Sequence, residues 1–182
     1  MLPERIQIKF FIPSKVNLAD LVPVFHRWIQ QNELDGLVLD VADYRHVPNG
    51  PGLLLMGHEG DYALDLADGR PGLTYKHKRD WPLEANTFAA RLVLAVSRAR
   101  RAAELLRRDA GIDIDLARFE IRVLDRLAVP NTAESFDAIQ QTLLNEAEDF
   151  VGPIGVILNI AADDPRKALA VEVETVPAGV VG

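Results

Sequence analysis

Six consecutive residues, Gly57-His58-Glu59-Gly60-Asp61-Tyr62, gather more acid-base and ligand chemistry than any other segment of this chain. His58 could serve as a general base, with Glu59 or Asp61 orienting its imidazole and Tyr62 close behind. In a regular strand His58 and Glu59 would point to opposite faces, so they share a site only if the flanking glycines break the pleat. Asp40, at the end of a short apolar run, and His46, in the loop that follows, could fold over the same end of a sheet. With His58 and Glu59 they would form a donor set suited to a divalent metal of the Zn, Mn or Fe kind. The spacing matches no strong ligand motif, and His-Glu-x-x-His in particular is absent. The competing reading is a polar hairpin tip, where Gly, Asp and His are ordinary turn residues.

Arginines form the second concentration. Arg91, Arg98, Arg100, Arg101, Arg107 and Arg108 stand against a single acidic residue, Glu104, over positions 91–108, and Lys76, His77, Lys78 and Arg79 precede them. A basic face built on Arg91, Arg98, Arg101 and Arg108 would suit phosphate groups, RNA or an acidic patch on a partner subunit. No aromatic residues interleave to stack bases, so a solvated helix face is the plainer expectation. Gly50-Pro51-Gly52 precedes a strand rather than opening a helix and so lacks the anion site of a phosphate loop. His26 reads as a packed or half-exposed helix residue. Ser14, Ser97 and Ser135 lack a nucleophile-elbow setting.

Composition narrows the classes further. There is no cysteine, which excludes disulfides, thiolate nucleophiles and cysteine-held zinc or iron–sulfur centres. The formal charge of -7 disfavours wholesale binding to nucleic acid or anionic membranes. No run approaches the ~20 apolar residues that span a bilayer, and Met1 to Arg5 lacks the apolar core of a signal peptide. The expectation is a cytoplasmic protein without a membrane partner.

The elements that must position these residues are legible from period and punctuation. Arg5 to Ile12 alternates as a strand ending at Pro13. Leu21, Val24, Phe25, Trp28 and Ile29 mark a helix with Pro23 in its first turn, Asp20 as the favoured cap over Asn17, and Gly36 closing the region. Leu37 to Val41 reads as a short buried strand. Leu53–Met56, Tyr62–Leu66 and Leu73–His77 then form an antiparallel meander turned by Gly57 to Gly60 and by Asp68-Gly69. A long alanine-rich helix runs from about 86 to 109 and stops at Gly111. Beyond it come a strand over 118–124, a helix started by Asn131 and Glu134 with Phe136, Ile139, Leu143, Ala147 and Phe150 on its apolar stripe, and strands over 156–160 and 168–175.

The last third matches the first type for type, strand for strand and helix for helix. The expected fold is therefore α+β: one compact domain over 1–182, with a mostly antiparallel sheet and helices packed on one face. It would be built of two βαββ-like, ferredoxin-like units (about 5–80 and 118–176) joined by the helix over about 86–109. The alternative is a helix-grip arrangement with the meander curled round that helix. The functional expectation is a non-enzymatic small-ligand-binding or protein-interaction module that self-associates. The alternatives are an enzyme using the His58 region and an RNA- or phosphate-binding role for the arginine face.

Overall fold

A computed structural model describes residues 3–12, 15–78, 80–145, 155–160, 164 and 166–176, with backbone only for 155–160. Ser14, Arg79, Ala147, Phe150, the Gly152-Pro153 stop, Asp163, Pro165 and the tail 177–182 lie outside the described residues. The strands are β1 (Ile6–Phe11), β2 (Val38–Tyr44), β3 (Gly52–Gly57), β4 (Gly60–Asp65), β5 (Gly72–His77), β6 (Arg118–Val123), β7 (Gly155–Ile160) and β8 (Leu169–Val176). The helices are α1 (Val22–Gln31), α2 (Phe88–Ala110) and α3 (Ala133–Asn145). The strands form one sheet in the order β2-β3-β4-β5-β1-β6-β8-β7, every pairing antiparallel.

The alternation along each strand divides the sheet into two faces. Ile6, Ile8 and Phe10 of β1, Leu73 and Tyr75 of β5, and Phe119, Ile121 and Val123 of β6 join one buried cluster. Phe25 and Trp28 of α1, Leu92, Ala95, Val96, Ala99 and Ala103 of α2, and Ile139 and Leu143 of α3 belong to the same cluster. All three helices therefore cover one face. The long α2 lies across β1 and β5 in the middle of the sheet, where its alanines allow close approach. Each large side chain buried there is worth roughly 1.5–3 kcal/mol of transfer free energy. No described helix is long and apolar enough to cross a membrane.

Local chemistry sets the helix ends. The Asn17 side chain, not Asp20, caps the start: it accepts from the Ala19 N–H and opens a single 3-10 turn, Leu18–Leu21, that leads into α1. Pro23 sits in the first helical turn, where the missing N–H has no intrahelical partner to lose. The helix ends on Asn32 in the left-handed conformation, four residues before Gly36. Thr87 caps α2 through the Ala90 N–H, and Gly111 ends it at φ 65°. For α3 the cap is Thr132, which accepts from Ser135 N–H, while Asn131 instead donates to the Asp164 carbonyl.

Two larger expectations change. Leu37 to Val41 is not a buried strand: Leu37 leads into β2, which lies at the edge of the sheet, mostly exposed, with a bulge between Val38 and Asp40. An apolar run reports strand character but not position within a sheet. The ferredoxin-like detail is not supported either. Helix α1 carries the chain from mid-sheet β1 to the far edge at β2 rather than to a parallel neighbour of β1.

Candidate functional site

The turn between β3 and β4 is built by close approach. A Cβ on Gly57 would lie 2.2 Å from the Gly60 carbonyl oxygen, and one on Gly60 would lie 2.7 Å from the Tyr75 ring and hydroxyl. Glycine at both positions lets the tip lie flat on Tyr75. The four residues expected to share a site are then sent four ways. His58 donates its backbone N–H to Leu37 O (2.7 Å), and its exposed imidazole makes no hydrogen bond or ion pair among the described residues. Glu59 turns inward, its Oε2 2.6 Å from Arg98 Nη2. Asp61 points to the opposite face and meets Lys78 Nζ at 2.6 Å. Tyr62 is buried and donates to Asp35 O at 3.2 Å.

Neither remaining metal candidate joins them. Asp40 is exposed in mid-β2 and accepts the N–H of Val41, while His46 is exposed in the next loop beside Tyr44. Among the described residues no group of three or more His, Asp or Glu could hold a metal ion. The metal reading and the His58 acid-base pair therefore find no geometry here, because the glycines that free the turn also splay its side chains.

The arginine face is also redistributed. Arg98 is on the buried side of α2, only 9% exposed. Arg91 donates to the carbonyls of Pro3 and Ala85, and Arg100 to that of Leu116. Arg101 and Arg108 pair with Glu33, and Arg108 also pairs with Asp109. These guanidiniums clamp neighbouring segments rather than forming a free cationic stripe.

Arg98 starts a buried polar chain. Its Nη1 donates to Tyr75 Oη at 2.7 Å, and Tyr75 Oη lies 2.9 Å from His77 Nδ1. The hydroxyl accepts from Arg98 and makes a second hydrogen bond with His77 Nδ1, whose direction follows the imidazole tautomer. Burial pushes the Tyr75 phenol above its ordinary pKa, against the pull of Arg98, so the phenol keeps its proton at neutral pH. The His77 ring stacks on Trp81 at 3.7 Å. The signal for Tyr75 and His77 was in the sequence: Leu73-Thr74-Tyr75-Lys76-His77 has a period of two, which puts both on the core face.

A charged recess lies on the other face of the sheet, which no described helix covers. The turn Ala67–Gly69, with Asp68 at φ 61°, folds the chain back so that the Arg70 guanidinium sits 4.2 Å over the Phe11 ring. Arg70 reaches Glu172 (2.6 Å) and Glu120 (3.8 Å), and Arg122 reaches Glu120 (2.5 Å) and Asp68 (3.0 Å). Lys167 stands on the rim of the resulting 550 Å³ basin. Beside it Lys9 pairs with Asp65 at 2.9 Å. Glu120 and Lys9, 2% and 3% exposed, are the most buried charges on this face. The Arg122 hydrogen bond holds the Asp68 carboxyl below the usual carboxylate range despite some desolvation.

No family model, curated protein or solved structure matches this chain. Its function is therefore argued from the side chains alone.

Proposed function

We propose that the protein binds a small ligand carrying both a positive and a negative group in the outer-face basin. The observation that carries the reading is the balance of charge round that recess. Arg70, Arg122 and Lys167 of its lining are matched by Asp68 and Glu120, also of the lining, and by Glu172, which pairs with Arg70; Glu120 is buried. A lone anion or cation would gain one set of contacts and be repelled by the other. A dipolar ligand can insert between the two halves of the half-exposed Arg70–Glu172 pair, exchanging one ion pair for two. That rim pair is worth only about 0–1 kcal/mol, so opening it is inexpensive. The basin volume lies within the range of small-molecule sites.

The test is a titration followed through the Arg70 and Arg122 side-chain Nε–Hε resonances. Glycylglycine and β-alanine serve as dipolar probes, and acetate and ethylammonium as single ions. Saturating shifts with the dipolar probes alone support the reading; equal shifts with acetate alone overturn it.

Self-association through the sheet edge is a second reading, favoured by Leu37, just before β2, and Leu39 within it, which are 60% and 56% exposed. Sedimentation of the wild-type chain and Leu39→Lys tests it: a dimer lost in the variant supports the edge, and a monomeric wild type removes it. A duplicated βαββ plan is part of the same proposal. It is supported by the mutual pairing of the first strands, β1 and β6, each flanked by the last strand of its own half.

A further inference from the structure

We propose that Arg98 is the recognition group of a separate site for a small monocarboxylate, and that Glu59 is an internal carboxylate occupying that site until the ligand displaces it.

The argument starts from an incompletely satisfied arginine. A guanidinium this buried needs a counter-charge and full hydrogen bonding, because each polar group left unpaired inside a protein is costly. Arg98 Nη1 is well placed on Tyr75. Its remaining edge is not. Among the described residues Nε has no hydrogen-bond partner, and the 2.6 Å contact between Nη2 and Glu59 Oε2 is an ion pair without hydrogen-bond alignment. The Nε–Nη2 edge is the one a carboxylate takes in parallel, two-bond geometry. Glu59 neutralises Arg98 but does not fill that geometry.

Access and space come from the same turn. A narrow crevice between Asp35, Gly36, Leu37, Glu59, Tyr62 and Tyr75 borders the guanidinium. With Glu59 in place, no part of it takes a water-sized sphere. The Glu59 side chain is 40% exposed and sits in a two-residue turn, so it can rotate into solvent without unfolding a strand. A Cβ on Gly36 would come within 3.1 Å of Glu59 Oε2, so glycine here leaves the carboxylate position clear. Leu37, Val38 and the two tyrosine rings give the crevice apolar walls, which suit a short hydrocarbon tail behind one carboxylate. The exchange is one charge for one charge. A dianion would bring more charge than the single arginine balances. This site is independent of the basin, since its contacts lie on the core face and at the turn.

Propionate is the probe, added to the isotopically labelled full chain with chloride held at constant ionic strength. The readout is the Arg98 Nε–Hε resonance, assigned through its proximity to the Tyr75 ring so that no Arg98 substitution is needed. The expected result is a saturating shift in the wild type. In Glu59→Gln the apparent Kd should tighten by roughly tenfold, because the competing internal carboxylate no longer reduces the binding-competent fraction. An unmoved Arg98 signal, a shift reproduced by chloride, or equal affinity in both proteins would overturn the proposal. So would binding confined to the variant, which would make Glu59 a permanent latch. Arg70 and Arg122 report separately, so basin binding cannot be mistaken for it.

Discussion

Lys9 and Glu120 face each other directly across the β1–β6 pairing, yet each takes a different partner. Lys9 extends across Gly72 to Asp65, and Glu120 turns to Arg122 and Arg70. Two opposite charges, both nearly inaccessible, thus lie side by side on a sheet face without a helix above them. Glu120 anchors a network that continues to the rim, and Lys9 anchors a separate pair with Asp65.

Breaking either anchor should be expensive. Removing one partner of a buried ion pair strands the other, at roughly 3–5 kcal/mol. Lys9→Ala should lose about that much in urea denaturation, whereas Lys9→Met with Asp65→Leu should recover most of it. If the single and double variants were equally unstable, the loss would lie in packing rather than in charge.

Gly60→Ala should destabilise the fold by about 1–3 kcal/mol, the usual cost of forcing a methyl into occupied space. The new Cβ would meet the Tyr75 ring and the Lys76 carbonyl, neither of which can move freely. Thermal unfolding measures it. A neutral substitution would mean that the turn does not rest on Tyr75.

Tyr75→Phe should cost about 1–3 kcal/mol, because Arg98 Nη1 then loses its acceptor in a buried setting. In the wild type, long-range proton–nitrogen correlation fixes the direction of the Tyr75–His77 hydrogen bond: a proton on His77 Nε2 makes Tyr75 the donor, and one on Nδ1 makes it the acceptor.

Acid stability should depend on Asp109. The hydrogen bond from Arg108, aided by the Trp28 indole at 2.7 Å, holds its carboxyl at about 2. The folded pKa is below the unfolded value of ~3.9. The contribution is therefore complete above that value and is lost as pH falls through about 2. Wild-type melting temperature should drop between pH 4 and pH 2, and Asp109→Asn should flatten that part of the profile. An unchanged slope in the variant would assign the acid sensitivity to other carboxylates.

Much of the fold was readable because it rests on local periodicity. Ile6, Ile8 and Phe10 announce a strand, and Leu92, Val96, Ala99 and Ala103 a helix, whatever surrounds them. Edge position is different: Leu37 and Leu39 look like core residues because nothing local records that β2 closes one end of the sheet. Arg98 was placed with the basic face because α2 buries a wide arc, and only its neighbours Tyr75 and Glu59 show that it points inward. The basin had no sequence signature at all. Asp68, Arg70, Glu120, Arg122 and Lys167 come from three distant stretches, joined only by strand register and the Ala67–Gly69 turn.

The β1–β6 pairing has a kinetic consequence. Ile8 lies opposite Ile121, more than a hundred residues along the chain, whereas β3, β4 and β5 are linked by short turns. Closing so long a loop carries a large entropy cost before any contact rewards it, and non-local pairing slows folding. The meander can assemble early, but the middle of the sheet must wait for its two ends to meet. As a hypothesis, that meeting is the rate-limiting event. Ile121→Val should then slow refolding in stopped-flow, while the equal trim Ile139→Val in α3 should mainly speed unfolding. The reverse pattern would place the slow step elsewhere.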